Sequence, residues 1–267
     1  MLIVSSAADL FWGKGEVFAL GSLLAGVIIA LGSGLLLFDL GRPLQFWRVL
    51  SRQKAVMTVG SWMLTCSIVT SLIYFSFWLG SSAWRDLVGL RHTLAWINSL
   101  MGLGVCIYTG ILLGSMKARP FWSTPALPVL FLVSGLSTGI AGQSLLAGVW
   151  PYAGVKGLEA THSLLKFLDL ALIFFELVII LVYVFMMRTS FGEDVGRIAD
   201  SWLMGKKKFA FWGGLIGLGL LLPGVLYLMA DRGIGQSLAI AGVLFGGLIL
   251  RFLIVYSDEQ KKLPGEV

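Results

Sequence analysis

Five ionisable residues, Glu159, His162, Lys166, Asp169 and Glu176, follow one another at steps of three, four, three and seven residues in a segment that is otherwise apolar. On an α-helix those steps return to one face, so the five stack over about 25 Å, seventeen residues at 1.5 Å each. Ionisable groups at membrane depth cost about 2.5–3.5 kcal/mol each even on insertion scales, so they must face protein or water. A column of such groups exchanges protons, which makes His162, Lys166, Asp169 and Glu176 the expected proton-transfer residues. The same residues also fit a salt-bridged helix, in which Lys166 neutralises Asp169 and His162 caps the wet end. Glu176 has no cation near it in the sequence under either view.

A second group of residues lies at helix ends. Phe38-Asp39-Leu40-Gly41-Arg42-Pro43-Leu44-Gln45-Phe46-Trp47-Arg48 leaves the first apolar stretch, and Lys117-Ala118-Arg119-Pro120-Phe121-Trp122 leaves the third. Gly41 and Pro43 end a helix, Asp39 and Arg42 can pair at the membrane boundary, and the aromatics suit headgroup depth. Taken alone, the first turn is an interfacial helix stop. Two Arg-Pro-aromatic turns on one side form a platform, with Pro43, Trp47, Lys117 and Trp122 as expected docking residues for a partner. About two turns inside the third stretch stands Tyr108-Thr109-Gly110, where a phenol can hydrogen-bond a quinone carbonyl and Gly110 leaves room for a flat ring. The alternative for Tyr108 is an interior tyrosine satisfied by a neighbouring helix.

The elements that must position these groups are membrane helices. Of 267 residues, 57% are hydrophobic and 13% charged, against roughly 25% charged in soluble domains, so lipid has to cover the apolar surface. Seven stretches, about 16–38, 56–79, 93–115, 125–147, 162–187, 209–230 and 235–256, are long enough to cross a hydrocarbon core of about 30 Å. The expected fold is an all-α polytopic bundle, one transmembrane domain over 1–267. No loop is long enough for a second folded domain. Glycines such as Gly213, Gly214, Gly217 and Gly219 permit close helix packing, and Pro223 predicts a kink with a freed carbonyl.

Charge gives the orientation. Fourteen Lys and Arg residues fall in the loops after stretches one, three and five and in the tail, with Arg251 counted among them; five, Lys14, Arg85, Arg91, Lys156 and Arg232, fall on the other side. The positive-inside rule then places the N-terminus outside and the C-terminus in the cytoplasm. No basic residue precedes Lys14, so the start lacks the n-region of a signal peptide. The net charge of +6 is read loop by loop and implies no nucleic acid. Cys66 and Cys106 sit apart in apolar segments, without the spacing of a metal or iron-sulfur site, and are expected to be packing residues. His92 and His162 lie at helix starts, too shallow for a haem within the bundle.

Asp39-Leu40-Gly41-Arg42-Pro43 followed by Phe46, and Tyr108-Thr109-Gly110-Ile111-Leu112-Leu113 running into Lys117-Ala118-Arg119-Pro120-Phe121-Trp122, resemble the NrfD/polysulfide reductase membrane-subunit family in order and spacing, from about residue 20 to 190. The resemblance implies a membrane subunit without haem or iron-sulfur cluster of its own, in a prokaryotic cytoplasmic membrane. It implies electron exchange between the quinone pool, menaquinone or ubiquinone, and a four-cluster ferredoxin-like iron-sulfur subunit that serves a molybdopterin-type catalytic subunit. Tyr108 maps onto the family's quinone-binding tyrosine, and Asp39, Arg42 and Arg119 would shape the polar mouth. In the family the Asp-Leu-Gly-Arg-Pro turn follows the second helix, whereas here it follows the first apolar stretch, so a preceding family helix is expected to be absent. The other functions open to the chain are a secondary transporter using the charged stripe and a structural anchor without a working quinone site. Against transport, paired Gly/Pro-broken helices in corresponding halves are missing.

Overall fold

The computed structural model describes residues 1–38, 56–79, 84–115, 120–122, 124–149, 158–190, 193–229 and 233–257. Among them there is no strand; the elements are helices α1 (Leu2–Trp12), α2 (Gly15–Phe38), α3 (Val56–Ser76), α4 (Val88–Gly114), α5 (Ala126–Val149), α6 (Leu158–Ser190), α7 (Glu193–Leu203), a π-helix (Phe209–Leu221) that runs into α8 (Leu222–Met229), and α9 (Ile234–Val255). Seven helical segments are long and apolar enough to cross a membrane. Their many exposed large apolar side chains, such as Leu31, Leu35, Phe167 and Phe185, are what a lipid-facing surface requires.

Two compact units divide the chain: Met1–Tyr108 with Gly142–Lys156, and Thr109–Ala141 with Gly157–Val267. In the first, α1 packs on α2 and α2 on α3. Gly13 ends α1 with φ +60°, and the Lys14 amide donates back to the Ala8 carbonyl at 2.9 Å, a left-handed cap that only glycine takes at little cost. The Ser5 hydroxyl donates to the Phe18 carbonyl at 2.9 Å, and the Gln143 amide donates to the Met1 carbonyl at 3.1 Å and to Ser5 Oγ. This short buried helix ahead of the first apolar stretch has no counterpart among the seven stretches expected from the sequence. It is 11 residues long, too short to span.

In the second unit the core runs from Phe121 and Trp122 through Ile173, Ile180 and Met187 of α6 to Leu250 and Leu253 of α9. The bend expected at Pro223 takes the form of a change of helix type. The wide π turns end with the Leu222 amide donating to the Gly217 carbonyl, five residues back. Pro223, one residue on, has no N–H to continue the ladder. A methyl group on Gly242 would lie 2.7 Å from Pro223 Cγ and 2.9 Å from the Leu218 carbonyl oxygen, so α9 closes on the break only because Gly242 is bare. At Gly219 a methyl group would lie 2.5 Å from Gly246 Cα, the close backbone crossing that small residues allow in lipid.

Several boundaries move. α4 begins at Val88, so Arg91 and His92, expected in a loop and at a helix start, stand inside it. Arg251, counted with the tail, lies within α9. Cys66 is exposed rather than packed.

Candidate functional site

The helical stripe persists in part as a buried polar cluster in the second unit. Asp169 is 1% exposed and Glu176 3%, both on α6, about 10 Å apart at seven residues. Asp169 accepts the Ser137 hydroxyl at 2.8 Å through Oδ1 and the Tyr227 hydroxyl at 2.9 Å through Oδ2, so neutral donors from α5 and α8 hold it. The expected Lys166–Asp169 neutralisation is not what binds this carboxylate. Lys166 is half-buried. The cation acting on Glu176 is Arg251, which the sequence could not place beside it because the two are 75 residues apart. Ser134 also lies on the Glu176 carboxylate, without completing a hydrogen bond, and Arg251 donates to the Gly247 carbonyl at 2.7 Å. Glu159 and His162 fall on α6, but their side chains are outside the described residues.

Tyr108 is on α4 in the first unit, half-buried. Its phenol lies against the bare face of Gly60 on α3, where a methyl group would overlap the ring and hydroxyl. Among the described residues the Tyr108 hydroxyl has no hydrogen-bond partner, unlike Tyr74, Tyr183 and Tyr227, each of which donates to an oxygen. Gly110 does not leave space for a ring: it is buried, and Pro128 of α5 fills the position a side chain would take. Its small size serves helix packing.

Asp39, Arg42, Pro43, Trp47, Lys117 and Arg119 lie outside the described residues. Trp122 is described and is not a surface anchor. It is 5% exposed, and its indole N–H donates to the Ile254 carbonyl at 2.8 Å. Phe121 beside it is enclosed by Tyr183 and Trp202, with ring centroids 5.3 and 5.0 Å away. The cover is α7, whose Val195, Ile198, Ala199 and Trp202 are buried at spacings of three, one and three, one helical face, while Arg197 and Asp200 face outward. Asp200 pairs with Arg188 at 3.0 Å. That apolar period is visible in the sequence but is masked by the charged residues between its members, which make the segment resemble a charged loop.

The first unit holds a third polar group that sequence reasoning missed. Asp9 of α1, 3% exposed, accepts Arg91 Nε at 3.0 Å and the Tyr74 hydroxyl at 3.2 Å on the same oxygen, Oδ2. The Arg91 guanidinium stands 4.7 Å above the Trp78 ring. The available signal was a lone acid in an apolar opening segment.

Similarity to known proteins agrees with the motif order. The family model for polysulphide reductase, NrfD, matches residues 1–260. The chain is 30% identical to a polysulfide reductase chain of Wolinella succinogenes, over 96% of this chain and 88% of that one. It is 29% identical to protein NrfD of Escherichia coli, over 86% and 79% respectively. To a selenate reductase subunit of Mesobacillus selenatarsenatis it is 28% identical, over 57% of this chain and 36% of that protein. With the family pattern covering nearly the whole length and seven long apolar helices in place, this chain belongs to the NrfD polysulphide reductase family.

Proposed function

We propose that the chain is the membrane subunit of a reductase complex and exchanges electrons between the quinone pool and an iron-sulfur partner, with Tyr108 holding the quinone. The observation that carries this is the Tyr108 hydroxyl on α4, half-buried, seated on Gly60, and without a partner among the described residues. A buried or half-buried phenol normally finds an acceptor; a quinone carbonyl is an acceptor of the right size and polarity, and the bare Gly60 face lets the phenol lie where the ring can be reached. Bound quinone would supply two-electron, two-proton redox chemistry. The chain's own part is to orient the carbonyl, keep water from the ring and move protons.

Asp39, Arg42 and Arg119 belong to the proposed mouth of the site. The partner is a four-cluster ferredoxin-like subunit, which passes electrons to or from a molybdopterin-type catalytic subunit and docks on the basic side through Pro43, Trp47 and Lys117, with Trp122 as internal support. Proton transfer is assigned to His162, Lys166, Asp169 and Glu176. The membrane is the prokaryotic inner membrane, with the N-terminus outside and the C-terminus in the cytoplasm, from the charge bias.

Copurification tests this most directly. The intact complex is expected to bring down an iron-sulfur subunit and bound quinone, and Tyr108→Phe is expected to depress quinone-linked turnover by at least about tenfold while dye-linked turnover of the partner stays intact. A complex without quinone, with Tyr108→Phe indistinguishable from the unaltered chain, would leave a structural anchor.

A further inference from the structure

The first unit contains buried polar atoms that the quinone site and the α6 cluster do not use. Asp9 uses only Oδ2 for Arg91 and Tyr74; Oδ1 is buried with no partner. Trp78 Nε1 is buried too, close to Tyr74 but without completing a hydrogen bond. Asp9 Oδ1 and the Trp78 ring both pack against the bare face of Gly15, where a methyl group would lie 2.7 and 2.5 Å from them, so the unused acceptor and the indole that carries the unused donor meet at the start of α2. An acceptor and a donor left bare together are the partners a buried water needs.

A second station lies deeper. Asn98 of α4 is 0% exposed and its amide meets Thr70 Oγ1 of α3 at 2.6 Å. Thr70 has one hydroxyl proton, and the Cys66 carbonyl also accepts it at 2.8 Å. Whichever way the Asn98 amide is turned, one of its polar atoms is left without a protein partner. Asn98 is seven residues from Arg91 on α4 and Thr70 is four from Tyr74 on α3, so both pairs advance along the same two helices, by about 10 and 6 Å. Below them Ser67, 0% exposed, donates to the Met63 carbonyl at 2.8 Å, one turn from the Gly60 seat of Tyr108. Ala95, with 0% exposure, shares the face of Arg91 and Asn98.

We infer that Asp9, with Tyr74 and Arg91, is the proton-exchange group at the mouth of a second buried column, which runs in the first unit through Thr70 and Asn98 toward Tyr108. The column serves the quinone, and so rests on Tyr108 being its site. Reduction of a quinone to a quinol takes two electrons, from the iron-sulfur partner, and two protons, at least one of which enters at Asp9 and passes by way of ordered waters and the Asn98–Thr70 station. Oxidation of quinol runs this path the other way. Arg91 and Tyr74 are positioning residues: they fix one carboxylate oxygen and leave the other to water.

The intact complex, reconstituted in vesicles and assayed with soluble menaquinol and ubiquinol analogues, tests this against dye-linked turnover of the same preparation. Asp9→Asn keeps the shape and the polar contacts but removes the exchangeable acid. It is expected to lower quinone-linked kcat at least about tenfold, to enlarge the solvent deuterium isotope effect, and to leave dye-linked turnover and quinol KM unchanged. Thr70→Val, an isosteric change that removes the hydroxyl, is expected to give a several-fold fall with the same isotope signature. If Asp9→Asn fails to assemble, Thr70→Val decides alone. Unchanged quinone-linked kcat and isotope effect in an assembled variant, with normal turnover in the unaltered complex, overturns the column and leaves Tyr108 standing. Absence of quinone-linked turnover in the unaltered complex overturns both.

Discussion

The Tyr227 hydroxyl donates to Asp169 Oδ2 at 2.9 Å, tying α8, beyond the proline break, to the buried middle of α6. Because Ser137 holds the other oxygen, each carboxylate oxygen has one donor, and removing either leaves a buried acceptor bare. Tyr227→Phe is expected to cost about 1–3 kcal/mol, read as a lower thermal midpoint of the detergent-solubilised chain. In an Asp169→Leu background the same change should cost little, since no carboxylate is then stranded. Equal losses in both backgrounds would mean that the phenol contributes through packing alone.

The seat of Tyr108 gives a prediction that does not touch the phenol itself. Gly60→Ala puts a methyl group into the space the ring occupies, so Tyr108 must swing away or the helices part. Quinone-linked turnover is expected to fall about as far as in Tyr108→Phe, by at least about tenfold, with dye-linked turnover retained. Wild-type quinone kinetics in Gly60→Ala would show that the observed position of the ring is not the working one.

Trp122 separates docking from support. Its N–H reaches the Ile254 carbonyl beneath α7, which also accepts the Ser257 hydroxyl at 2.6 Å, and Trp122→Phe keeps an aromatic ring while removing one of that carbonyl's donors. The expected loss is about 0.5–1.5 kcal/mol of stability, measured by thermal unfolding, with the amount of copurified partner unchanged for the protein that remains folded. Loss of the partner without loss of stability would return Trp122 to the docking surface.

Helix existence was legible because each span is a long apolar run, and the α6 stripe because ionisable residues at helical spacing stand out against it. The partners of those residues were not. Ser137 reaches Asp169 from α5 and Arg251 of α9 acts on Glu176 through its charge, and no local period encodes such a meeting. Arg91 resembles a loop residue because its compensating charge, Asp9, is 82 residues away; without that pair an arginine argues against helix interior. α7 is legible in its i, i+3, i+4, i+7 apolar face, although its charge disguises it. The π-helix gives no sign: Gly-rich apolar sequence is compatible with either register, and packing against Gly242 and Gly246 decides. Tyr108 stands out by its depth, whereas its seat, Gly60, needs the fold.

Glu176 and Arg251 make the last prediction. A carboxylate 3% exposed with a guanidinium acting on it from another helix can be a proton carrier or a structural pair, and each predicts a different response. Arg251→Met leaves Glu176 buried without its cation, a loss on the order of 3 kcal/mol, and adding Glu176→Gln should recover most of it because no charge then remains to be stranded. That recovery is expected whichever role the pair has. Glu176→Gln alone distinguishes the roles: it keeps the volume and a polar terminus but cannot release a proton. If Glu176 carries protons, the variant folds at nearly normal stability, while quinone-linked turnover or vesicle acidification coupled to it falls at least about tenfold. Turnover and proton movement equal to wild type, together with the recovered stability of the double variant, would remove Glu176 from the proton path and leave it with Arg251 as a tie between α6 and α9.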